Sequence, residues 1–266
     1  MFNRIPALVS FVGYALLSMS AAFADESVEK VALSTFKIFH KDSTATGLLV
    51  KNGEATYLVT ANHVFDKIKD PTILLVGRKK NPDQAQFQRK DLSVTIRSVD
   101  GKPLWKKHPK LDLAVLLLPK ELTAKEELTA LPVSALATAE DAKGIHTGDV
   151  VFAAVFPERD EANGAGFPII RKGAIASYPI VPIASHTQFL IDMTAFGGDS
   201  GGPVIHSEMK RGDGGPVVMG FVLGQRWTKE TIQESKNVQR IIRHPLGIAY
   251  AVHSAFVLEV IAEMEK

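Results

Sequence analysis

The chain has 266 residues, a formal net charge of +2 at pH 7 and no cysteine. Without cysteine it can form no disulfide bond, thiol nucleophile or thiolate metal site. The nearly balanced charge argues against nucleic acid as the main partner. A chain of this length can bury a substantial core in one large domain or two smaller ones.

The first 24 residues have the pattern of a secretory signal peptide. Arg4 supplies the positive start, residues 5–17 are mostly apolar, and Ala22-Phe23-Ala24 is a small-x-small cleavage site. The apolar run is too short to span a membrane, and no later run reaches 18 uninterrupted apolar residues. We therefore expect a bacterial protein that is exported to the periplasm or secreted, begins at Asp25 after processing and has no membrane span.

Short β-prone runs separated by turn residues fill the first half of the mature chain. The clearest pair, residues 46–50 and 55–60, flanks an Asn52-Gly53 turn signal and predicts a β-hairpin. Alternation and β-branched content predict further strands, at residues 36–39, 73–76, 93–96 and 112–118.

From Lys120 the composition shifts to Ala, Glu, Lys and Leu, which predicts a linker with one or two helical turns. Strand-like runs then resume, at residues 149–155, 174–177, 189–193, 216–222 and 248–252. Ser254 is the predicted N-cap of a closing amphipathic helix. Two runs of short strands joined by a linker predict two packed antiparallel barrels.

We place the boundaries at the changes in composition. The expected parts are a signal peptide at 1–24, an N-terminal barrel at 25–119, a linker at 120–148, a C-terminal barrel at 149–253 and a helix at 254–266.

A glycine-rich loop, Gly197–Pro203, surrounds Ser200 and is the strongest indication of chemistry. A serine hydroxyl needs a base and an orienting acid to become a nucleophile. His63 follows one apolar run and Asp112 opens another, so the three residues occur in the order His, Asp, Ser of chymotrypsin-like hydrolases. We predict that Ser200 attacks, His63 transfers the proton, Asp112 orients the imidazole, and the N–H groups of Gly198 and Ser200 form an oxyanion hole.

Residues 198–202 also fit the G-x-S-x-G nucleophile elbow of α/β-hydrolases, in which the acid and the histidine follow the serine in the chain. Asp213 with His244 or His253 would then complete the site. That elbow needs a helix directly after Ser200, and Gly201-Gly202-Pro203 is poor helix sequence, so we favour the first interpretation.

Three segments of the chain resemble the trypsin-like serine peptidases of the chymotrypsin fold, in particular bacterial exported members such as the HtrA proteases. They are Thr60-Ala61-x-His63, the run from Asp112 to Leu116, and Gly198-Asp199-Ser200-Gly201-Gly202-Pro203. The resemblance covers about residues 30–262. It implies an all-β fold of two antiparallel six-stranded barrels with a short C-terminal helix, an active site between the barrels, and endopeptidase activity without a cofactor or metal.

The chain departs from animal trypsins in ways that bear on activation. It has no Ile-Val-Gly-Gly-type start after an internal basic residue, so we do not expect a newly cut N-terminus to reach Asp199. We also expect no PDZ module to follow the peptidase. Residues 158–166 form an acidic, glycine-containing stretch that we interpret as an exposed loop, with gating of the cleft as the alternative.

Specificity is predicted from the family pattern, in which the base of the substrate pocket lies six residues before the serine. Here that residue is Thr194, so we expect cleavage after small or apolar residues. Val222, Leu223 and Gly224 are expected to form the facing wall and an edge that pairs with substrate backbone. We interpret Trp227 as a packing residue, with substrate contact by the run Gln225-Arg226-Trp227 as the alternative.

Three hypotheses about function follow. The first is an exported serine endopeptidase that acts on polypeptides, with an unknown regulator as a candidate partner. The second is a latent or noncatalytic peptide-binding protein on a protease scaffold, and the third is a serine esterase. The other histidines lack metal-ligand spacing, so we expect structural or surface roles for them and no metal site.

Overall fold

A computed structural model describes residues 26–80, 86–126, 128–235 and 238–266. The predicted signal peptide at 1–24 lies outside the described residues. Within the described ranges, no helix combines the length and apolar character needed to cross a bilayer.

The N-terminal half is one sheet with two short helices. Its elements are α1 (26–34), β1 (Thr35–His40), β2 (Ser43–Asn52), β3 (Ala55–Thr60), α2 (Asn62–Lys67), β4 (Thr72–Lys80), β5 (Phe87–Thr95), β6 (Lys106–Lys107) and β7 (Ala114–Leu117). The strand order is β5-β4-β1-β2-β3-β7-β6. The predicted hairpin is confirmed: Asn52 pairs with Ala55 across a two-residue turn whose Gly53 has φ +55°, a conformation that favours glycine.

The connection between the halves has the expected helical turns. It contains α3 (Lys120–Glu126), β8 (Leu131–Pro132) and two 3-10 turns, Val133–Ala135 and Asp141–Gly144. The short β8 pairs in parallel with β2. The connection therefore adds an eighth strand to the N-terminal sheet.

The C-terminal half is a closed six-stranded barrel followed by a helix. Its elements are β9 (Val150–Val155), β10 (Ile169–Ile175), β11 (Gln188–Asp192), β12 (Pro203–Lys210), β13 (Pro216–Ser235), β14 (Val238–His253) and α4 (Ala255–Met264). The strand order around the barrel is β10-β11-β14-β13-β12-β9. β13 and β14 are much longer than predicted, because they continue beyond the barrel as a two-stranded ribbon.

The all-β chymotrypsin-like fold with a short C-terminal helix is confirmed. The halves differ in closure: the C-terminal sheet closes with six strands as predicted, whereas the N-terminal sheet is an open hydrogen-bonded path of seven strands, with β8 paired to β2 as the eighth. One apolar core runs through both halves and includes Leu48, Val115, Val155 and Phe221, all at most 1 % exposed. This continuous core fixes the loops that meet between the halves.

The closing helix has the predicted buried face of Phe256, Val260 and Ile261. The predicted capping role of Ser254 is wrong, because its backbone is already helical and its hydroxyl donates to the Ala137 carbonyl at 2.9 Å. A capping side chain requires extended backbone at that position. Ser254 instead ties the helix to the linker.

Candidate active site

His63, Asp112 and Ser200 meet between the two halves. His63 lies in the first turn of α2, immediately after β3, and Asp112 precedes β7. Because β3 and β7 are paired antiparallel strands, the end of one and the start of the other are adjacent. Ser200 is supplied by the turn that leads into β12 of the other half. The structure therefore brings together the three residues singled out in the sequence.

Asp112 contacts His63 with both carboxylate oxygens. One oxygen accepts the His63 backbone N–H at 2.8 Å, and the other lies 2.6 Å from the imidazole Nδ1. Burial by itself raises the pKa of Asp112, but the hydrogen bonds and charge of His63 outweigh it and hold this pKa below its ordinary value. An ionised Asp112 keeps the proton on Nδ1 and leaves Nε2 free to accept one.

The other imidazole nitrogen faces the serine. Nε2 of His63 lies 3.1 Å from Ser200 Oγ, within range for proton transfer. The hydroxyl can also donate to the Leu223 carbonyl, 3.2 Å away. Ser200 has one proton and two acceptors for it, so its nucleophilic state is the one in which the proton points to His63.

The backbone on either side of Asp199 presents two unused donors. Among the described residues, neither Gly198 N–H nor Ser200 N–H donates a hydrogen bond, whereas Asp199 N–H is bound to the Phe196 carbonyl. Gly198 has φ +100°, and a Cβ there would lie 2.1 Å from the Phe156 carbonyl oxygen, so only glycine fits. The two free donors beside the serine can stabilise an oxyanion.

Glu158 holds this loop from the side. Its backbone N–H donates to the Gly197 carbonyl at 2.6 Å, and its carboxylate accepts the Gly197 N–H at 3.0 Å. Glu158 itself has φ 48°, a conformation uncommon for a residue with a side chain. With the Gly197 carbonyl bound to Glu158, the N–H of the same peptide unit, on Gly198, points in the opposite direction. The acidic stretch thus contacts the serine loop.

Thr46 is a second anchor that the sequence analysis did not assign to the site. Its backbone N–H donates to the Ser200 carbonyl at 2.9 Å, and its hydroxyl donates to the Gly198 carbonyl at 2.8 Å. A Cβ on Gly201 would lie 2.2 Å from the Thr46 carbonyl oxygen. The sequence predicts a strand at residues 46–50 but does not indicate these contacts between the two halves.

Asp199 is fully buried and forms an ion pair with Arg171. One carboxylate oxygen accepts Arg171 Nη1 at 3.1 Å and the Phe196 N–H at 2.9 Å, while the other has no partner. Burial raises the pKa of Asp199 to about 6, although Arg171 and the Phe196 N–H act in the opposite direction. Arg171, on β10, is the cation that pairs with Asp199, and the sequence did not indicate this contact.

We predict that Arg171→Met lowers the free energy of unfolding at pH 8 by on the order of 3 kcal/mol, because it leaves a buried carboxylate without its cation. Folding raises the pKa of Asp199, so this carboxyl favours the folded state at acid pH and that contribution is lost as pH rises to about 6. The loss in Arg171→Met should therefore be smaller at pH 5. Urea unfolding at both pH values checks this, with exposed Lys172→Met as the matched control. Equal losses at both pH values would contradict the assignment.

The predicted pocket residues come from the end of β11 and from β13. Thr194 is half-buried after β11, and a Cβ built on Gly247 would lie 3.8 Å from its hydroxyl. Val222 and Leu223 are buried, and the backbone N–H and C=O of Val222 are already bonded to Gly202 and Gly201. Gly224 lies against the Tyr250 ring. The pocket assignment stays a prediction.

The elbow interpretation is wrong for structural reasons. A strand, β12, and not a helix follows Ser200. His244 pairs with Glu230 at 2.9 Å on the ribbon, and His253 is buried beside Phe189. Burial lowers the pKa of His253 to about 4. In the described part of the chain, no three His, Asp or Glu residues are grouped as a metal site.

A cavity of about 250 Å³ opens beside His63 and Ser200. Its apolar floor includes Ile38 and Val64, and Lys67 lies on its wall. Because it adjoins His63, it lies on the side where the leaving group of a hydrolysed bond would depart.

Two β-sheet halves with a His-Asp-Ser arrangement at their junction define the chymotrypsin-like class of folds. Solved structures of this class are similar over most of the chain. The HtrA-type protease AlgW with a tripeptide has 20% identity and TM-score 0.53, covering 91% of this chain and 63% of its own. This chain thus spans about 63% of the AlgW chain's length.

Two further structures of the class align over most of their own length. A serine-to-alanine mutant of Rv3671c from M. tuberculosis H37Rv, in the inactive form, has 17% identity and TM-score 0.53, covering 100% of this chain and 96% of its own. A mutant of human heparin binding protein (CAP37) has 14% identity and TM-score 0.56, covering 89% and 92%. Identities this low establish the fold alone.

Comparison with curated proteins found no match. The trypsin-like peptidase domain family matches residues 45–211, which contain all three residues of the site. The chain belongs to this family of trypsin-like serine peptidases.

Proposed function

We propose that this protein is an exported serine endopeptidase that hydrolyses peptide bonds through Ser200, His63 and Asp112. The observation that carries the proposal is the unbroken chain of contacts from Asp112 to His63 at 2.6 Å and from His63 to Ser200 at 3.1 Å. Family membership supports the peptidase class, and the site geometry supports the assignment of roles.

The steps follow from the positions of the atoms. Ser200 Oγ attacks the scissile carbonyl while its proton passes to His63 Nε2, and the developing oxyanion accepts hydrogen bonds from Gly198 N–H and Ser200 N–H. The imidazolium then protonates the leaving amine, which releases the C-terminal product and leaves an acyl ester on Ser200. Water, deprotonated by His63, hydrolyses the ester and regenerates the serine. Asp112 stabilises the imidazolium throughout.

The substrate is proposed to be an unfolded or extended polypeptide. Its P1 side chain would occupy the pocket at Thr194, and its backbone would pair with the edge formed by Leu223 and Gly224. Thr194 provides no carboxylate for a basic side chain, which favours small or apolar P1 residues. No cofactor is required for these steps. The boundaries at 25–119, 120–148, 149–253 and 254–266 belong to the same proposal.

Export is proposed from the N-terminal sequence and from the lack of cysteine. The periplasm and the cell exterior both fit a fold stabilised by packing alone. An unknown regulator is compatible with the loop contacts of Glu158, since any partner that moves this loop would move Gly197.

A second candidate function is a latent or peptide-binding form of the same scaffold. The Leu223 carbonyl competes for the Ser200 proton at 3.2 Å, which favours a resting state without an activated serine. A human protein of the same fold is named for binding heparin, so the fold by itself does not distinguish an enzyme from a binding protein.

Fluorophosphonate labelling of protein that begins at Asp25 separates these functions. We expect covalent labelling of the wild type and none of Ser200→Ala, because only an activated serine reacts at a useful rate. Mass mapping should place the label on Ser200. Absence of labelling in folded wild-type protein would refute the active enzyme and favour the latent form. Hydrolysis of esters but of no peptide in a library would favour an esterase.

A further inference from the structure

The ribbon formed by residues 226–235 and 238–246 extends β13 and β14 beyond the barrel. Its cross-strand pairs run from Trp227–Pro245 to Ser235–Val238. Residues 226–235 are all exposed, and no other described strand pairs with the ribbon. A two-stranded ribbon has little stability of its own in water. This ribbon therefore keeps its strand conformation because it continues the strands of the barrel.

The edge of β13 that faces the active site is open from Leu223 onward. Pairing with β12 ends at Phe221, and Val222 uses its N–H and C=O on Gly202 and Gly201. The next carbonyl, that of Leu223, faces Ser200. An extended chain that adds to this edge at the serine can therefore continue only towards the ribbon, because the opposite direction is occupied by β12.

The chemistry of the site fixes which end of a substrate follows that edge. The leaving group departs beside His63, where the 250 Å³ cavity lies. The acyl part, which is N-terminal to the scissile bond, must then lie along β13. At roughly 3.3 Å per residue, six further residues bring the substrate from Leu223 to the level of Lys229.

The ribbon carries cations that no described carboxylate neutralises. Its two described acidic side chains are engaged, Glu230 with His244 at 2.9 Å and Glu234 with Arg240 at 3.7 Å. Lys229 and Arg243 form no ion pair with any described residue.

Lys229 and Arg243 are directly opposite each other in the ladder and share a face with Trp227, which is 48 % exposed. Like charges opposite each other are unfavourable unless an anion binds between them. Lys229, Arg243 and Trp227 therefore form a cationic face that complements carboxylates.

We propose that this ribbon is an exosite for an acidic segment of the polypeptide substrate, located about five to eight residues before the scissile bond. The segment pairs with the open edge of β13 and places carboxylates near Lys229 and Arg243, while Trp227 covers an apolar side chain. This rests on the proposed function, because the scissile bond at Ser200 sets the register.

The test uses a fluorogenic peptide selected for cleavage from a library, extended at its N-terminus with either four Glu or four Gln at these positions. We expect the Glu extension to raise kcat/KM about fivefold over the Gln extension, mainly through KM, since exposed ion pairs are individually weak. The gain should shrink in 0.5 M salt. Lys229→Glu with Arg243→Glu should abolish it and leave cleavage of the unextended peptide unchanged.

The controls separate the ribbon from net charge and from catalysis. Lys51→Glu with Lys107→Glu changes the charge equally at exposed sites elsewhere and should keep the gain. Lys229→Gln with Arg243→Gln serves if the reversal impairs folding. Two results would overturn the exosite and leave the proposed peptidase activity standing. One is a gain in kcat/KM that survives the ribbon substitutions. The other is the absence of any gain in wild-type protein that fluorophosphonate does label.

A binding assay separates failure of the exosite from failure of the enzyme. In Ser200→Ala, the fluorescein-labelled Glu-extended peptide should bind more tightly than the Gln-extended one, and only with Lys229 and Arg243 present. If fluorophosphonate does not label the wild-type protein but this binding preference holds, the proposed catalytic function is wrong and the ribbon remains a binding surface. Binding to phosphatidylglycerol vesicles or single-stranded oligonucleotides without any peptide preference would overturn the proposal.

Discussion

Replacing Ser200 by alanine is expected to lower kcat for peptide hydrolysis by about 10⁶, the loss found when the nucleophile of a serine protease is removed. The hydroxyl lies 3.1 Å from His63 Nε2, and no other hydroxyl is positioned to take its place in the contacts described. Binding of peptide and the oxyanion donors remain, so a small activity above that of water should survive. Stopped assays with a cleavable library peptide measure the loss.

His63→Ala should lose about as much, and the double variant no more than either single one, because the two residues act as a unit. His146→Ala, an exposed histidine outside the site, is the matched control and should retain full activity. Wild-type turnover in Ser200→Ala would disprove the mechanism. Additive losses in the double variant would show that the two residues act separately.

Asp112→Asn is expected to lower kcat by about 10⁴ near pH 7 while the fold is kept. The amide oxygen can still accept the His63 backbone N–H, but the NH₂ group would face Nδ1 and force the imidazole proton onto Nε2. A protonated Nε2 cannot accept the Ser200 proton. Rates of fluorophosphonate labelling should fall in parallel with kcat.

The matched control for Asp112→Asn is Asp149→Asn, which changes a His-Asp pair of similar geometry. Asp149 lies 3.0 Å from His206 Nε2, in the barrel and apart from Ser200. Its replacement should leave kcat within about twofold of wild type, because neither Asp149 nor His206 is bonded to His63 or Ser200. A similar loss in both variants would mean that the Asp112 effect is one of stability.

The pH dependence of the Asp112 interaction has a definite sign. Folding lowers the pKa of Asp112, so its contribution to stability is present above the ordinary pKa of an aspartate, about 4, and is lost as pH falls through the lowered value. Near neutral pH this carboxylate stays ionised. The wild type should therefore lose this stabilisation only in acid, whereas Asp112→Asn should lack that part of the acid dependence.

Local sequence was sufficient for the fold class and for the three residues of the site. Glycines around Ser200 specify a tight turn, and apolar alternation beside His63 and Asp112 specifies the strands that carry them. These are short-range properties, set by backbone freedom and by which face of a strand is buried. The hairpin at Asn52 and Gly53 was predictable for the same reason.

The ribbon was not predictable in the same way. The predicted strands end near Val222 and resume near Ile248, because the residues between them are mostly polar. The pairing of residues 227–235 with residues 238–245 depends on each strand having the other as its neighbour. Polar ribbons of this kind lack the buried face from which strands are normally recognised.

By itself the sequence determined that two sets of strands carry a histidine, an aspartate and a glycine-flanked serine in one order. Only the tertiary structure decided that Arg171 pairs with Asp199 and that Glu158 and Thr46 hold the serine loop. It also decided that β13 passes beside Ser200 and continues into a cationic ribbon. Each of these contacts joins side chains or backbone groups far apart in the chain. No local pattern specifies such a pair, because neither residue has a distinctive sequence context and only folding places the two at hydrogen-bond distance.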